Sequence, residues 1–131
     1  MKLFSKRKNN TAHSDETEAI PVTEQGFIKH ANRIYHRLLY DTETAELVIN
    51  YQLDGFNGEY YSLFKTKNGR WFKCQREMRV FNHVYQGEHI REITTRYFDI
   101  VPMDEDYAKR IIGDRDIGKY LSLWGDEVEE A

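Results

Sequence analysis

The sequence predicts an α+β domain: an antiparallel sheet of four to five strands with two short C-terminal helices on one face, behind a disordered N-terminal arm. Three observations predict it. Runs of alternating side chains rich in aromatic and branched residues fill residues 33–76. Asn68-Gly69, a pair that readily adopts the positive backbone angles of a tight hairpin, separates two of these runs. Helical spacing is clear only after Pro102, and strands followed by helices argue for α+β rather than alternating βαβ units. At 131 residues there is room for one domain with a modest core, expected over 25–131.

Residues 1–24 are read as the arm. Lys6-Arg7-Lys8-Asn9-Asn10-Thr11 and Ser14-Asp15-Glu16-Thr17-Glu18 bury too little apolar surface to offset the entropy of ordering. Thr23 opens a short helix through Phe27, Ile28 and Ala31. From Arg33 the pattern turns to strand. Ile34, His36, Leu38 and Tyr40 alternate with Tyr35, Arg37 and Leu39. The polar group Asp41-Thr42-Glu43-Thr44 breaks this run. Leu47, Ile49, Tyr51 and Leu53 then alternate with Val48, Asn50 and Gln52, and the two runs are expected to pair as a first hairpin. Asp54-Gly55-Phe56-Asn57-Gly58 is a turn-rich connector.

The second hairpin is expected over 59–66 and 70–76. Tyr61 and Leu63 share one face, while Tyr60, Ser62 and Phe64 share the other, which predicts a sheet covered on both sides. Residues 78–90 fit either a helical turn or a short strand, with a turn at Gln86-Gly87-Glu88. A last strand runs over 91–101 and ends at Pro102. Asp104-Glu105-Asp106 place acids where the helix dipole favours them. Met103, Tyr107, Ala108, Ile111 and Ile112 form the apolar positions of that helix, and Gly113 is its expected stop. Asp116 caps a second helix, whose Ile117, Tyr120, Leu121 and Trp124 lie on one face.

The net charge of −3 argues against a generally basic nucleic-acid binder. The single Cys74 excludes an internal disulfide. With no signal-like leader and no run near the ~20 apolar residues that cross a bilayer, the chain reads as cytoplasmic, without membrane partners.

The strongest candidate site is basic. Lys65, Lys67, Arg70, Lys73, Arg76 and Arg79 are six cations, with Glu77 the one acid among them, and Phe64, Trp71 and Phe72 are interleaved. Arg and Trp are common interface anchors, and lysines steer an acidic partner. The same composition suits nucleic acid, with cations on phosphates and rings on bases. The plain structural reading is a hairpin tip charged for solubility and against edge pairing. Alternation puts Trp71 and Lys73 on one face and Phe72 and Cys74 on the other, with Trp71 expected to be exposed.

No catalytic motif emerges. His13, His30, His36, His83 and His89 are scattered, and with one Cys they lack the close pairs of a structural zinc site. Cys74 sits mid-strand, where a buried inert thiol is the expectation. Asp104, Glu105 and Asp106 lack the spacing of a calcium loop and are read as helix-capping acids. No cofactor or metal is expected.

Leu63-Phe64-Lys65-Thr66-Lys67-Asn68-Gly69-Arg70-Trp71-Phe72 is followed by Ile100-Val101-Pro102, an acidic helix with Ala108, and Tyr120-Leu121-Ser122-Leu123-Trp124-Gly125-Asp126. Over roughly 59–131 this order resembles a loose group of small uncharacterised bacterial proteins carried on phages, plasmids and conjugative elements. The chain departs from that group in its basic arm, its first hairpin and an insert at 77–92. The resemblance implies no catalytic residues. It implies a host protein as partner, for example a defence nuclease to be inhibited, as anti-CRISPR proteins do.

The reading is therefore a non-enzymatic module that binds a host protein with an acidic surface through Lys65, Lys67, Arg70, Trp71, Lys73, Arg76 and Arg79. A nucleic-acid-binding accessory protein using the same hairpin is the alternative, and a small enzyme is the second.

Overall fold

In the computed structural model, the structure describes residues 2–8, 21–53 and 58–131, with side chains from Val22 onward. Two units divide the chain: residues 1–29 with 77–97, and residues 30–76 with 98–131. Strands β7 (Trp71–Tyr85) and β8 (Glu88–Met103) contribute to both. The fold is α+β, and the sheet is mixed.

The first unit holds β1 (Lys2–Lys8) and β2 (Pro21–Lys29), with the adjoining halves of β8 and β7, in the order β1-β2-β8-β7. β1 pairs antiparallel with β2, but β2 pairs in parallel with β8, Val22 opposite His89 through Lys29 opposite Arg96. This corrects the all-antiparallel expectation. Period-two alternation identifies a strand but carries no information on its partner's direction. The short helix expected from Thr23 to Ala31 is likewise corrected to strand β2. Phe27 and Ile28 are branched or aromatic, and Gly26 weakens a helix more than this pairing costs. The expected arm over 1–24 thus holds strand at both ends, and its residues 9–20 lie outside the described residues.

Residues 78–85, open between helix and strand in sequence, are strand. A two-residue loop at Gln86 and Gly87, with φ of 50° and 79°, turns β7 into β8. These angles match the primed turns whose twist suits a hairpin.

The second unit contains β3 (Asn32–Tyr35), β4 (Leu38–Asp41), β5 (Glu46–Gln52) and β6 (Tyr60–Lys65). It also holds the first part of β7, α1 (Glu105–Arg115) and α2 (Ile117–Trp124). β3 and β4 form a hairpin of their own, with Tyr35 opposite Leu38, and β5 pairs with β6. The expected first hairpin between the 34–40 and 47–53 runs is therefore corrected: the first run folds back on itself. His36 and Arg37 make that turn at φ of 49° and 66°.

The expected second hairpin is present. β6 and β7 pair antiparallel, Lys65 opposite Trp71 and Tyr61 opposite Gln75. The N–H of Gly69 donates to the Thr66 carbonyl at 2.9 Å, and that of Thr66 donates to the Arg70 carbonyl at 2.7 Å. Gly69 takes φ of 81°. A turn followed by a left-handed residue is the common three-residue hairpin loop, and glycine meets its demand without strain.

Both faces of this hairpin are covered. On one, Leu63 and Trp71 join Ile49, Tyr51, Ala108, Ile111, Ile112 and Trp124 in the core. On the other, Phe64 and Phe72 stack at 5.1 Å and the Tyr40 ring meets Phe72 edge-on at 5.7 Å. Buried Ser62 donates to Asn50 Oδ1 at 2.5 Å, so its hydroxyl is not stranded between the strands.

Asp104 caps α1, accepting from the Tyr107 N–H at 2.8 Å, and Asp116 caps α2 from Lys119 at 2.9 Å. α1 runs through Gly113 to Arg115, so Gly113 is not its stop. The Asp116 cap ends α1 and starts α2 in one residue. Of the expected apolar stripe on α2, Trp124 is buried and Tyr120 half-buried, while Ile117 and Leu121 are exposed.

Candidate functional site at the basic hairpin

The structure separates the seven candidate residues by strand alternation and loop position. Trp71 is 2% exposed and packs against Trp124 at a ring separation of 5.7 Å, which corrects the expectation that it is exposed. Trp71 lies on the helix-facing side of β7. Because aromatics occupy both faces of the hairpin, alternation alone could not identify the open side. With Phe64 at 2% and Phe72 at 0%, every interleaved ring is a core ring.

Lys65 and Lys73 share the Trp71 side. The Lys65 ammonium lies 5.4 Å from the Trp71 ring. Lys73 sits between two tyrosines, 5.3 Å from the Tyr61 ring and 5.5 Å from the Tyr107 ring. Arg76 points to the opposite face, its guanidinium carbon 5.6 Å from the Tyr60 ring. Arg79 belongs to the first unit, where its Nε contacts Glu77 Oε1 at 3.0 Å. Arg96 also approaches Glu77, at 3.5 Å.

Lys67 and Arg70 remain at the tip, both exposed. Neither forms an ion pair among the described residues. The Arg70 N–H also donates to Thr66 Oγ1 at 3.0 Å, so the tip backbone is held by three hydrogen bonds. Beside it opens a groove of about 640 Å³, walled by Thr44, Ala45 and Glu46 and by the loop from Lys65 to Gly69. Glu46 and Lys65 are cross-strand partners at its base.

Compared with protein-family models, curated proteins and solved structures, the chain matches none.

No group of three or more His, Cys, Asp and Glu converges among the described residues. His30 Nδ1 lies 3.0 Å from Thr42 Oγ1, and His83 Nε2 lies 3.2 Å from Glu92 Oε1. His13 falls outside the described residues. Cys74 is fully buried, and burial pushes its thiol up to about 12. A protonated thiol at neutral pH is a poor nucleophile and a poor ligand.

Sequence reasoning missed a second concavity in the same unit. A cleft of about 680 Å³ lies among Ala31, Asn32 and Arg33 at the start of β3, Tyr61, Lys73 and Gln75 on the sheet, and Asp99, Ile100 and Val101 on β8. Its residues come from four strands far apart in sequence. Among them the sequence singled out Lys73 for its chemistry. No local pattern could have gathered the rest.

Proposed function

We propose that the chain is a non-enzymatic protein-binding module that uses the β6–β7 tip. The observation that carries this reading is the pair of exposed cations, Lys67 and Arg70, on a loop fixed by hydrogen bonds beside an open groove. Their charges have no ion-pair partner among the described residues, and a fixed backbone reduces the ordering cost of binding. A partner with an acidic surface suits them. The binding set narrows to Lys67 and Arg70, with Lys65 at the groove wall. Trp71 acts as the support beneath the tip.

The alternative reading, nucleic-acid binding, calls for rings on which bases stack. Phe64, Trp71 and Phe72 are committed to the core, so this hairpin supplies charge without those stacking platforms. That favours a protein partner. The mobile-element resemblance suggests a host protein, and a defence nuclease in the cytoplasm is the concrete candidate. None of the described helices is long and apolar enough to cross a membrane.

The test is capture from host lysate with and without nuclease, comparing the parent chain with Lys67→Ala/Arg70→Ala. The expected result is a nuclease-resistant protein whose recovery falls about tenfold in the double variant. Equal recovery would remove the tip from the interface. Loss of all partners on nuclease treatment would return the weight to nucleic acid.

A further inference from the structure

The cleft beside β3 is chemically unlike the tip groove. It carries charges of both signs. Lys73 presents its ammonium from β7, held between the Tyr61 and Tyr107 rings. Arg33 also lines the cleft, with Nη1 donating to the Ile100 carbonyl at 2.8 Å and the guanidinium carbon 5.0 Å from the Tyr35 ring. One N–H thus fixes the group, and other donors of its fork remain. Asp99 supplies the negative charge.

Three features make this arrangement more than a surface dip. First, Asp99 adopts φ of 57°, a left-handed conformation uncommon for a non-glycine residue. Such outliers within strands re-aim side chains and concentrate near binding sites. Second, Asp99 lines the same cleft as Tyr61 and Lys73, so both signs of charge border one concavity. Third, the opposite charges do not neutralise one another. Among the described residues neither Lys73 nor Arg33 meets Asp99 at ion-pair distance. Asn32 and Gln75 add amide groups able to donate and accept. A volume of about 680 Å³ falls within the usual range for small-ligand sites.

Unpaired charges of both signs in one cleft complement a ligand with both signs of its own. A simple anion would meet Asp99 unfavourably, and a simple cation would meet Lys73 and Arg33. We infer that this cleft binds a small zwitterion of amino-acid or short-peptide chemistry, its carboxylate on Lys73 and Arg33 and its amine on Asp99. The site lies apart from the Lys67–Arg70 tip, and its success or failure leaves the protein-binding reading standing.

The test is calorimetric titration of the full chain with free L-amino acids and dipeptides, each also in N-acetylated and C-amidated form. Two variants accompany it. Asp99→Asn keeps a residue that tolerates the left-handed region, and Lys73→Met keeps the apolar stem between the tyrosines. At least one zwitterion is expected to give saturable binding, weakened about tenfold or more by either blocking group. Asp99→Asn should erase the preference over the N-acetyl form, and Lys73→Met the preference over the amide. Absence of saturable heat up to about 10 mM overturns the inference. So does equal binding of blocked forms, or a preference unchanged in either variant.

Discussion

The indoles of Trp71 on β7 and Trp124 on α2 lie 5.7 Å apart, centroid to centroid, and this contact joins the sheet to the helical layer. Trp124 Nε1 also donates to Glu105 Oε1 at 2.8 Å, tying the end of α2 to the first turn of α1. Lys109 lies 5.3 Å over the Trp124 ring and reaches Glu127 at 2.9 Å. One side chain thus links two helices and a strand. Trp124→Ala should cost about 3–5 kcal/mol, as large aromatic truncations in cores do. Trp124→Phe should cost less. Urea unfolding of both variants measures this, and an unchanged midpoint for the alanine variant would show that the contact contributes little.

Two glycines with opposite requirements give a paired test. Gly113 lies inside α1, and an added Cβ would meet the side chain of Tyr120 at 3.4 Å, at the tight edge of ordinary contact, where a small shift of the ring suffices. Gly113→Ala should therefore stabilise by about 0.5–1 kcal/mol through helix propensity. A Cβ on Gly69 would meet nothing within 4 Å, but its φ of 81° disfavours any other residue. Gly69→Ala should destabilise by about 1–2 kcal/mol despite the open space. The contrast is read from thermal midpoints, and a destabilised Gly113→Ala would mean that Tyr120 cannot yield.

These elements also show what was legible in the sequence. Turns that carry glycine, at Asn68-Gly69 and Gln86-Gly87, could be read directly because glycine marks positive φ. The His36-Arg37 turn carries no such mark, so β3 and β4 merged into one run. The helix caps Asp104 and Asp116 were visible because capping is local. Trp71 was misplaced because both faces of its strand are apolar, and the parallel β2–β8 pairing was missed because the segment from Thr23 was read as a short helix rather than a strand. The cleft was invisible for a different reason: Arg33, Lys73 and Asp99 meet only through the fold.

Alkaline pH should weaken the fold in a defined window. Burial pushes the Cys74 thiol from 9.0 to about 12 and the Tyr51 phenol from 10.0 to about 12. The hydrogen bond to Glu59 raises Tyr61 from 10.0 to about 12. These groups keep their protons in the folded state, whereas unfolding releases them above pH 9 to 10. The unfolded state then binds fewer protons, so stability is full below pH 9 and falls as pH rises toward 12. Cys74→Ala should move the onset up toward pH 10. A urea midpoint flat from pH 9 to 11 in the parent chain would contradict this account.

The β3–β4 turn keeps strain that its position does not require. His36 and Arg37 occupy φ of 49° and 66°, the pair of positive angles that Asn-Gly satisfies best. Left-handed backbone costs roughly 1–2 kcal/mol for an ordinary residue. The strands that the turn joins present Ile34 at 73% and Leu39 at 58% exposure, directly opposite each other. Tyr40 anchors β4 against Phe72, but His36 and Arg37 are both exposed, so core packing gives no reason for these two residue types at the turn. His36→Asn with Arg37→Gly should relieve the strain and stabilise the second unit by about 1–2 kcal/mol, since both replacements suit the angles already present. Chemical unfolding of the double variant checks it. A gain would mean that His36 and Arg37 are retained for something other than the turn, and no gain would mean that the ring contact of His36 with Tyr35, at 4.2 Å, already offsets the strain.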